Sequence, residues 1–349
     1  MQHSASSRPL VGVVLVVCSC LSLPFGAAVA AQLFPVLGPW GVTSLRVAIA
    51  AVLLLVIARP RPARWTRTQW IAAALFGLSL AGMNGFFYAA IDRIPLGPAV
   101  AIEFLGPLVL AAVLTRRLTD AAWVAVALLG IVLLGVDGLI GAEPLDPIGL
   151  VLILIAAAFW AMYIRMSARV GTLIPGSGGL AVGLAVAAVL LIPVGVPAAV
   201  TVVGDMQLLL LAAITAVLSS VIPYSFELAA LRRLPQRVFG VLLSLEPAFA
   251  TLAGWLILEQ NATPLRMLAI ALVVIASIGT TLGVRHARRR ADADARRDGA
   301  GSDVGTRSAD GTGRGDGTGP DEGGPDEGGA DEGGADDTGP FTAPIPLPG

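Results

Sequence analysis

The amino-acid sequence predicts an all-α membrane protein of about ten transmembrane helices, arranged as two inverted five-helix repeats and followed by a disordered tail. The first observation is composition: 56% of the 349 residues are hydrophobic and only 13% are charged, whereas soluble domains are about 25% charged. The second is a sequence pattern that recurs 140 positions later. The third is the way in which arginines alternate along the chain.

Runs of about twenty apolar residues follow one another from residue 9 to residue 284. A helix of that length crosses the hydrocarbon core of a bilayer. The connections between the runs are short and carry glycine, proline or charge. The predicted spans are 9–31, 36–58, 69–91, 95–115, 121–141, 148–169, 178–200, 207–228, 236–258 and 264–284. The first span is too long for a cleavable signal peptide.

Arginines follow the even-numbered spans, and acidic residues follow most of the odd-numbered ones. The arginine-containing connections include 59–67, 116–117, 232–237 and 285–290. Cytoplasmic loops carry the excess of basic residues, so this alternation predicts that both termini are cytoplasmic. It also predicts a multi-pass protein of the inner or plasma membrane.

The repeated pattern begins at Phe86 and again at Phe226. Identical residues at constant offset are Phe86/Phe226, Ala89/Ala229, Ala90/Ala230, Arg93/Arg233, Pro95/Pro235, Leu105/Leu245 and Pro107/Pro247. A duplicated half with an odd number of helices inserts upside down relative to its twin. We therefore expect a first repeat over residues 9–141, a second over 148–284 and a tail over 285–349.

Four ionisable residues lie deep in apolar segments: Arg46, Glu103, Glu227 and Glu246. Such groups are expensive in a membrane, and they face a cavity or a partner. Asp137 is close enough to a helix end that an interfacial position is equally compatible with the sequence.

Helix-breaking residues accompany two of these carboxylates. Pro107 cannot donate a hydrogen bond to the carbonyl of Glu103, and Gly106 permits close approach of a ligand or a helix. Glu246 is followed directly by Pro247. This combination predicts a binding surface for a substrate ammonium group or a proton. The alternative is a kinked helix whose glutamate pairs with Arg46 and only fixes packing.

Arg46 has two possible roles of its own: it binds a substrate carboxylate, or it neutralises a buried glutamate. Uncharged polar groups predicted near the centre are Asn84, Tyr88, Tyr163 and Tyr224. They suit a cavity for a small zwitterion, although hydrogen bonding between helices explains them equally well.

Several classes of protein fit the sequence poorly. The apolar segments contain no histidine or lysine and no cluster of metal ligands, so we expect no enzyme, no metal and no cofactor. Cys18 and Cys20 are predicted to be packing residues. There is no phosphate-binding Gly-x4-Gly-Lys loop, which argues against a primary pump. Nothing indicates a nucleic-acid partner, whereas a passive channel remains an alternative.

The tail differs from the rest of the chain. It holds fourteen of the 24 acidic residues but only eight of the 23 arginines, in a Gly/Asp-rich sequence. A segment with so little to bury is expected to be disordered. We expect it to have no role in transport; a regulatory or partner-binding tail is the alternative.

A series of motifs resembles a known family. They are Gly41–Arg46, Gly82–Tyr88, Ile94–Pro107, Ala158–Ile164, Ser219–Glu227 and Leu234–Pro247. Together they are similar to the threonine/homoserine exporter branch of the EamA family, in the drug/metabolite transporter superfamily. The resemblance covers about residues 9–284.

The resemblance implies two EamA repeats around a central cavity, and export of small amino acids such as threonine or homoserine. It also implies secondary transport by alternating access with protons as the coupling ion. Arg46, Glu103, Glu227 and Glu246 match polar sites of the family pattern. Gln260 departs from it, because the family often has a glutamate there. Purines, drugs or other metabolites are alternative substrates, and the sequence leaves the oligomeric state open.

Overall fold

The computed structural model describes residues 7–115, 118–140, 145–231, 233–234, 236–279 and 281, and the secondary structure in this part of the chain is almost entirely helical. Eight helices are long and apolar enough to cross a membrane, and the apolar helices Ala121–Asp137 and Pro264–Gly279 are shorter. The prediction of an all-α membrane protein with about ten helices is therefore confirmed. The Arg116–Arg117 connection and the tail over 285–349 lie outside the described residues.

Three of the predicted spans consist of two helices each, so we number thirteen α-helices in chain order. They are α1 Ser7–Ala31, α2 Phe34–Ala58, α3 Arg67–Ile91, α4 Leu96–Glu103, α5 Leu105–Thr115, α6 Leu118–Ile140, α7 Pro147–Leu173, α8 Gly178–Val203, α9 Met206–Ala216, α10 Ile222–Leu231, α11 Gln236–Leu243, α12 Glu246–Leu258 and α13 Pro264–Gly279. A 3-10 turn covers Pro62–Arg64, and a π-helical segment, Val217–Val221, joins α9 to α10.

Polar side chains cap helices where the chain reaches a connection. Thr66 and Gln69 form a reciprocal capping box at the start of α3. Asp146 accepts a hydrogen bond from the backbone N–H of Ile148, and Asp205 accepts two at the start of α9. These oxygens satisfy N–H groups that have no partner within the helix.

Three pairs of membrane spans that the sequence repeat makes equivalent pack in antiparallel orientation: the second with the seventh, the fifth with the tenth and the fourth with the ninth. In α2 and α8, Gly41 lies against Ala198 and Gly195 lies against Ser44. In α6 and α13, Gly130 lies against Ala269 and Gly279 against Trp123; in α4 and α12, Gly97 lies against Thr251. Equivalent helices of an inverted repeat must run in opposite directions. The division into repeats stays a prediction, and this packing agrees with it.

The described buried residues form one large apolar cluster on one side of the molecule and three separate clusters on the other. The large cluster, here called the shared cluster, draws residues from nine of the helices, among them Ala28, Leu37, Tyr88, Val100 and Ala253. They lie toward the helix ends near residues 31–34, 91–96, 140, 147, 203–206 and 258–264. We call this the arginine-poor face and the opposite one the arginine-rich face.

Toward the arginine-rich face, the described core is divided. One cluster joins α2, α3, α7 and α8, and a second joins α1 to α10 and Leu234. A third joins α5, α6 and α13. In the half near the arginine-poor face, the helices thus pack into one cluster. In the half near the arginine-rich face, they pack into three separate clusters.

Candidate functional site

Arg46 lies at the middle of α2, where the shared cluster meets the divided half of the core. Its side chain is only 3% exposed. One guanidinium nitrogen, Nη1, donates to the backbone carbonyl of Ser219 at 3.0 Å, and Nη2 donates to the side-chain oxygen of Asn84. Ser219 belongs to the π-helical segment, a type of irregularity that is frequent at functional sites.

Two polar atoms at this site have no hydrogen-bond partner in the described part of the chain. Arg46 Nε and the hydroxyl of Tyr88 are buried, and neither makes a hydrogen bond. The two side chains touch, because the guanidinium carbon lies 4.7 Å from the centre of the Tyr88 ring. Buried polar atoms are seldom left without a partner, so an anionic group placed here would satisfy donors that the protein leaves open.

Glu103 is the last residue of α4, and the helical path is interrupted at Phe104 before α5 begins at Leu105. Its side chain is buried and lies within electrostatic range of both Arg46 and Glu246. Arg46 interacts with Glu103 through its charge, while its hydrogen bonds go to Ser219 and Asn84.

Glu246 is the first residue of α12, directly before Pro247 and three residues after α11 ends at Leu243. It is 7% exposed and lies within electrostatic range of Glu227 as well as Glu103. Both half-helix junctions therefore place a buried carboxylate at an interruption of the helical path.

Glu227, on α10, lies toward the arginine-rich face and is half-buried. Ser19 of α1 donates a hydrogen bond to its carboxylate at 2.9 Å. Sequence reasoning did not include Ser19, because a serine in an apolar segment carries no signal until its neighbour is known.

Of the four predicted uncharged polar residues, Asn84, Tyr88 and Tyr224 lie near Arg46, and Tyr163 packs on Phe76. Asn84 uses both ends of its amide, since its nitrogen donates to Leu80 and its oxygen accepts from Arg46. It therefore positions Arg46. Tyr224 lies within electrostatic range of Arg46, and Tyr163 stacks on Phe76 with 5.4 Å between ring centres.

The helix-breaking residues have protein neighbours. A Cβ atom at Gly106 would collide with the backbone carbonyl of Ala157, so this glycine permits close packing of α5 on α7. Pro107 follows the interruption at Phe104, and the buried Pro247 lies in the first turn of α12. Cys20 is buried and donates to the carbonyl of Leu242, while Cys18 is partly exposed.

A buried ion pair had no place in the sequence interpretation. Asp137, near the end of α6, is 4% exposed and binds Arg266 of α13 through Oδ2 and Nε, 3.0 Å apart. Thr263 donates to the same carboxylate. Asp137 is therefore buried against α13, close to the end of α6. The signal that could have found the pair is that each residue is a lone charge near the end of its helix at the arginine-poor face.

A buried arginine with an open donor, near one carboxylate that itself lies near a second, can bind a small zwitterion. The arginine side suits its carboxylate and the glutamate side suits its ammonium group. A bundle of about ten membrane helices with such a site at half its length defines a membrane transport protein.

Comparison with known proteins identifies the family. Residues 147–282 match the EamA-like transporter family. The threonine/homoserine exporter RhtA of Escherichia coli (strain K12) is 38% identical over 276 residues, which cover 78% of this chain and 92% of that protein. RhtA of Salmonella typhimurium (strain LT2) is 40% identical over 268 residues, which cover 76% and 89%.

The chain belongs to the EamA-like transporter family of the drug/metabolite transporter superfamily, and to the branch that RhtA represents. A solved crystal structure that is 20% identical superposes with a TM-score of 0.52 and covers 80% of this chain and 99% of its own. That likeness concerns the fold. The protein is thus a multi-pass membrane transporter of an exporter branch.

Proposed function

We propose that the protein exports small amino acids of the threonine and homoserine type across the inner or plasma membrane, by proton-coupled alternating access. Its similarity to exporters of these two amino acids supports the substrate class. The observation that carries the proposal is the buried guanidinium of Arg46, whose Nε has no hydrogen-bond partner. Glu103 lies within electrostatic range of this guanidinium and of Glu246.

The substrate enters from the arginine-rich face, which the distribution of arginines makes cytoplasmic. Its carboxylate binds Arg46 and the hydroxyl of Tyr88, which are both open donors. Its ammonium group lies between Glu103 and Glu246. The half-buried Glu227 lies on the cytoplasmic side of this site.

Proton coupling follows from competition for the same carboxylates. A proton that binds Glu103 or Glu246 from outside removes the negative charge that holds the ammonium group, so the substrate leaves. Return of the protonated carrier, followed by proton release toward Glu227, makes the site ready for the next amino acid. Buried carboxylates serve as proton-binding groups in many membrane transporters.

The shared cluster favours a carrier over a passive channel. It joins nine helices on the arginine-poor side of Arg46, and a channel needs a continuous polar path. The other alternative, export of purines, drugs or other metabolites, is separated from amino-acid export by the substrates that accumulate outside cells.

Export from cells tests this function through Glu103→Gln, which keeps the size of the side chain but removes its charge. We expect cells with the wild-type protein to release threonine and homoserine, and Glu103→Gln to reduce release by about tenfold or more, because one charged hydrogen bond is worth about 1.5–3 kcal/mol. The matched control is Asp92→Asn, which neutralises an exposed carboxylate.

The protein level in the membrane is measured for each variant. Release by folded Glu103→Gln at the wild-type rate would refute the role of Glu103, and wild-type cells that release neither amino acid would refute the substrate class.

A further inference from the structure

The helix pair α4 and α12 is closed at one end. A Cβ atom at Gly254 would lie 3.6 Å from Cβ of Leu96, and one at Gly97 would lie 3.0 Å from Cβ of Thr251. These contacts lie near the arginine-poor face, and the residue numbers run in opposite directions along the two helices. The same register, continued along the pair, brings Glu103 level with Glu246.

Beyond these glutamates, the continuations α5 and α11 pack into different groups. Leu105 and Leu108 of α5 belong to the cluster with α6 and α13, whereas Leu242 and Leu243 of α11 pack on the cluster with α1 and α10. Side chains of α5 and α11 stay exposed: Val109 at 43%, Val113 at 64% and Val238 at 36%. This helix pair is therefore closed near the arginine-poor face and separated near the other.

The pair α6 and α13 behaves differently, because contacts follow it along its whole length. Trp123 lies against Gly279 near the arginine-rich face, and Gly130 lies against Ala269 at the middle. Near the arginine-poor face, the buried Asp137–Arg266 ion pair joins the same two helices. A charged pair out of contact with water holds its partners in place, since separating them leaves a charge buried.

Gln260 closes the first pair at the arginine-poor face. Its side-chain oxygen accepts a hydrogen bond from the backbone N–H of Leu96 at 2.9 Å. The backbone N–H of Gln260 donates to the backbone carbonyl of Gly254 at 3.1 Å. The N–H of Leu96 is one of the groups at a helix start that have no partner within the helix. One glutamine thus ties the end of α12 to the beginning of α4, the helix that ends in Glu103.

We propose that α4–α5 and α11–α12 form the moving gate of this transporter, that Gln260 latches this gate at the arginine-poor face, and that α6 and α13 form the pivot. The inference rests on the proposed alternating access. In the other state, α4 and α12 separate, and α5 meets α11 in the register that brings Val109 level with Gly240. Glu103 and Glu246 lie at the crossing point in both states, so one movement changes the face to which they are open.

A disulfide across the gate tests the movement. Leu96→Cys with Gly254→Cys places two Cβ atoms 3.6 Å apart, which suits a disulfide, and the new side chain at 254 displaces the Gln260 amide. Cys18 and Cys20 are replaced by serine. In proteoliposomes, oxidation is expected to reduce threonine flux by about tenfold or more, and a reductant is expected to restore it. Full flux after complete oxidation would overturn the gate.

The matched control is a disulfide at the same face between helices that pack along their length. Arg93→Cys with Gly149→Cys joins the end of α3 to α7, with 3.1 Å between Cβ atoms. Oxidation of this pair is expected to leave flux within about twofold of the reduced protein. A loss as large as that in the gate pair would show that any crosslink at this face stops transport, and would remove the support for the gate.

A second measurement needs no transport. Spin labels on Val109→Cys and Val238→Cys, in the same serine background, report the distance between α5 and α11. Gln260→Ala is expected to increase the population with the shorter distance, whereas Gln207→Ala, on an exposed side chain at the same face, is expected to leave it unchanged. One unchanged distance in the parent and in Gln260→Ala, at every pH and threonine concentration, would overturn the latch and the gate.

The two measurements also separate this inference from the proposed function. If the reduced gate variant and the parent protein both move no threonine while the spin-label distance responds to Gln260→Ala, then the substrate assignment is wrong and the gate stands.

Discussion

Arg46 is the residue on which the chemistry of the site depends. It is buried in a layer where charge is costly, yet its bonds go to a backbone carbonyl and an amide, and neither carries a formal charge. The contact with the Tyr88 ring adds a cation–π interaction, which is worth about 2 kcal/mol when desolvated. The guanidinium is therefore held in position while its charge stays available to an anion.

This arrangement predicts that Arg46→Gln loses affinity for threonine by about tenfold or more, because hydrogen bonds to charged groups contribute about 1.5–3 kcal/mol. An analogue of threonine that lacks the carboxylate should bind the variant and the wild type equally. Binding is measured by calorimetry on purified protein, with the exposed Arg169→Gln as control. Equal affinity of the wild type for threonine and for the analogue would contradict the role of Arg46.

Asp146, which lies outside the membrane spans, makes the stability of the fold depend on pH. Its hydrogen bond from Arg93, followed by the bond from the backbone N–H of Ile148, lowers the pKa of its carboxyl. A lowered pKa stabilises the fold above the pKa of the unfolded chain, and the effect is lost as pH falls through the folded value. Because both side chains are partly solvent-exposed, the effect is small.

We therefore expect Arg93→Gln to lower the melting temperature slightly at neutral pH, with a difference from the wild type that fades as pH falls below the ordinary aspartate pKa. In an Asp146→Asn background, Arg93→Gln should have no pH-dependent effect. A difference that grows on acidification would show that the pair acts with the opposite sign.

Sequence reasoning found the charged residues of the site but not their partners. Arg46, Glu103 and Glu246 stood out because each is a lone charge in an apolar run. The bond from Ser19 to Glu227 joins residues 208 positions apart, and no local pattern encodes it. The pairing of Arg46 with a backbone carbonyl depends on the π-helical segment, which has no sequence signature.

The positions of the helices were predictable where the length of an apolar run sets them, and less predictable where packing between helices sets them. The ends of α3 agree with the predicted span to within two residues because Thr66 and Gln69 cap it. The interruptions at Phe104 and after Leu243 accompany prolines that the sequence displays. Contacts between helices were predictable only for the pairs that the repeat relates. The different packing of the helices at the two faces was not predictable.

Replacing each of two helical glycines by alanine distinguishes the effect of helix packing from that of helix propensity. A Cβ at Gly106 would collide with the Ala157 carbonyl of α7, whereas one at Gly135 of α6 has nothing within 4 Å. Gly106→Ala should destabilise the protein by about 1–3 kcal/mol through overpacking. Gly135→Ala should be neutral or stabilise it by up to about 1 kcal/mol through helix propensity. Thermal unfolding in detergent compares them, and equal melting temperatures would contradict the close packing of α5 on α7.

At the level of the whole molecule, the two faces differ both in apolar packing and in the number of arginines. The shared cluster seals the arginine-poor half, and the divided clusters lie toward the arginine-rich face. In the transport cycle we propose, with the arginine-rich face in the cytoplasm, this packing belongs to the state that takes up substrate from the cytoplasm. An exporter receives its substrate in that state.

The central claim is that the protein exchanges protons for small amino acids, and flux in proteoliposomes tests it most directly. The purified full-length protein is reconstituted, and radiolabelled threonine is followed with and without an imposed pH gradient. We expect threonine to accumulate against its own gradient on the side that the protons leave, and Glu103→Gln to show none of this accumulation. Threonine flux that only equilibrates across the membrane, whatever the pH gradient, would contradict the account.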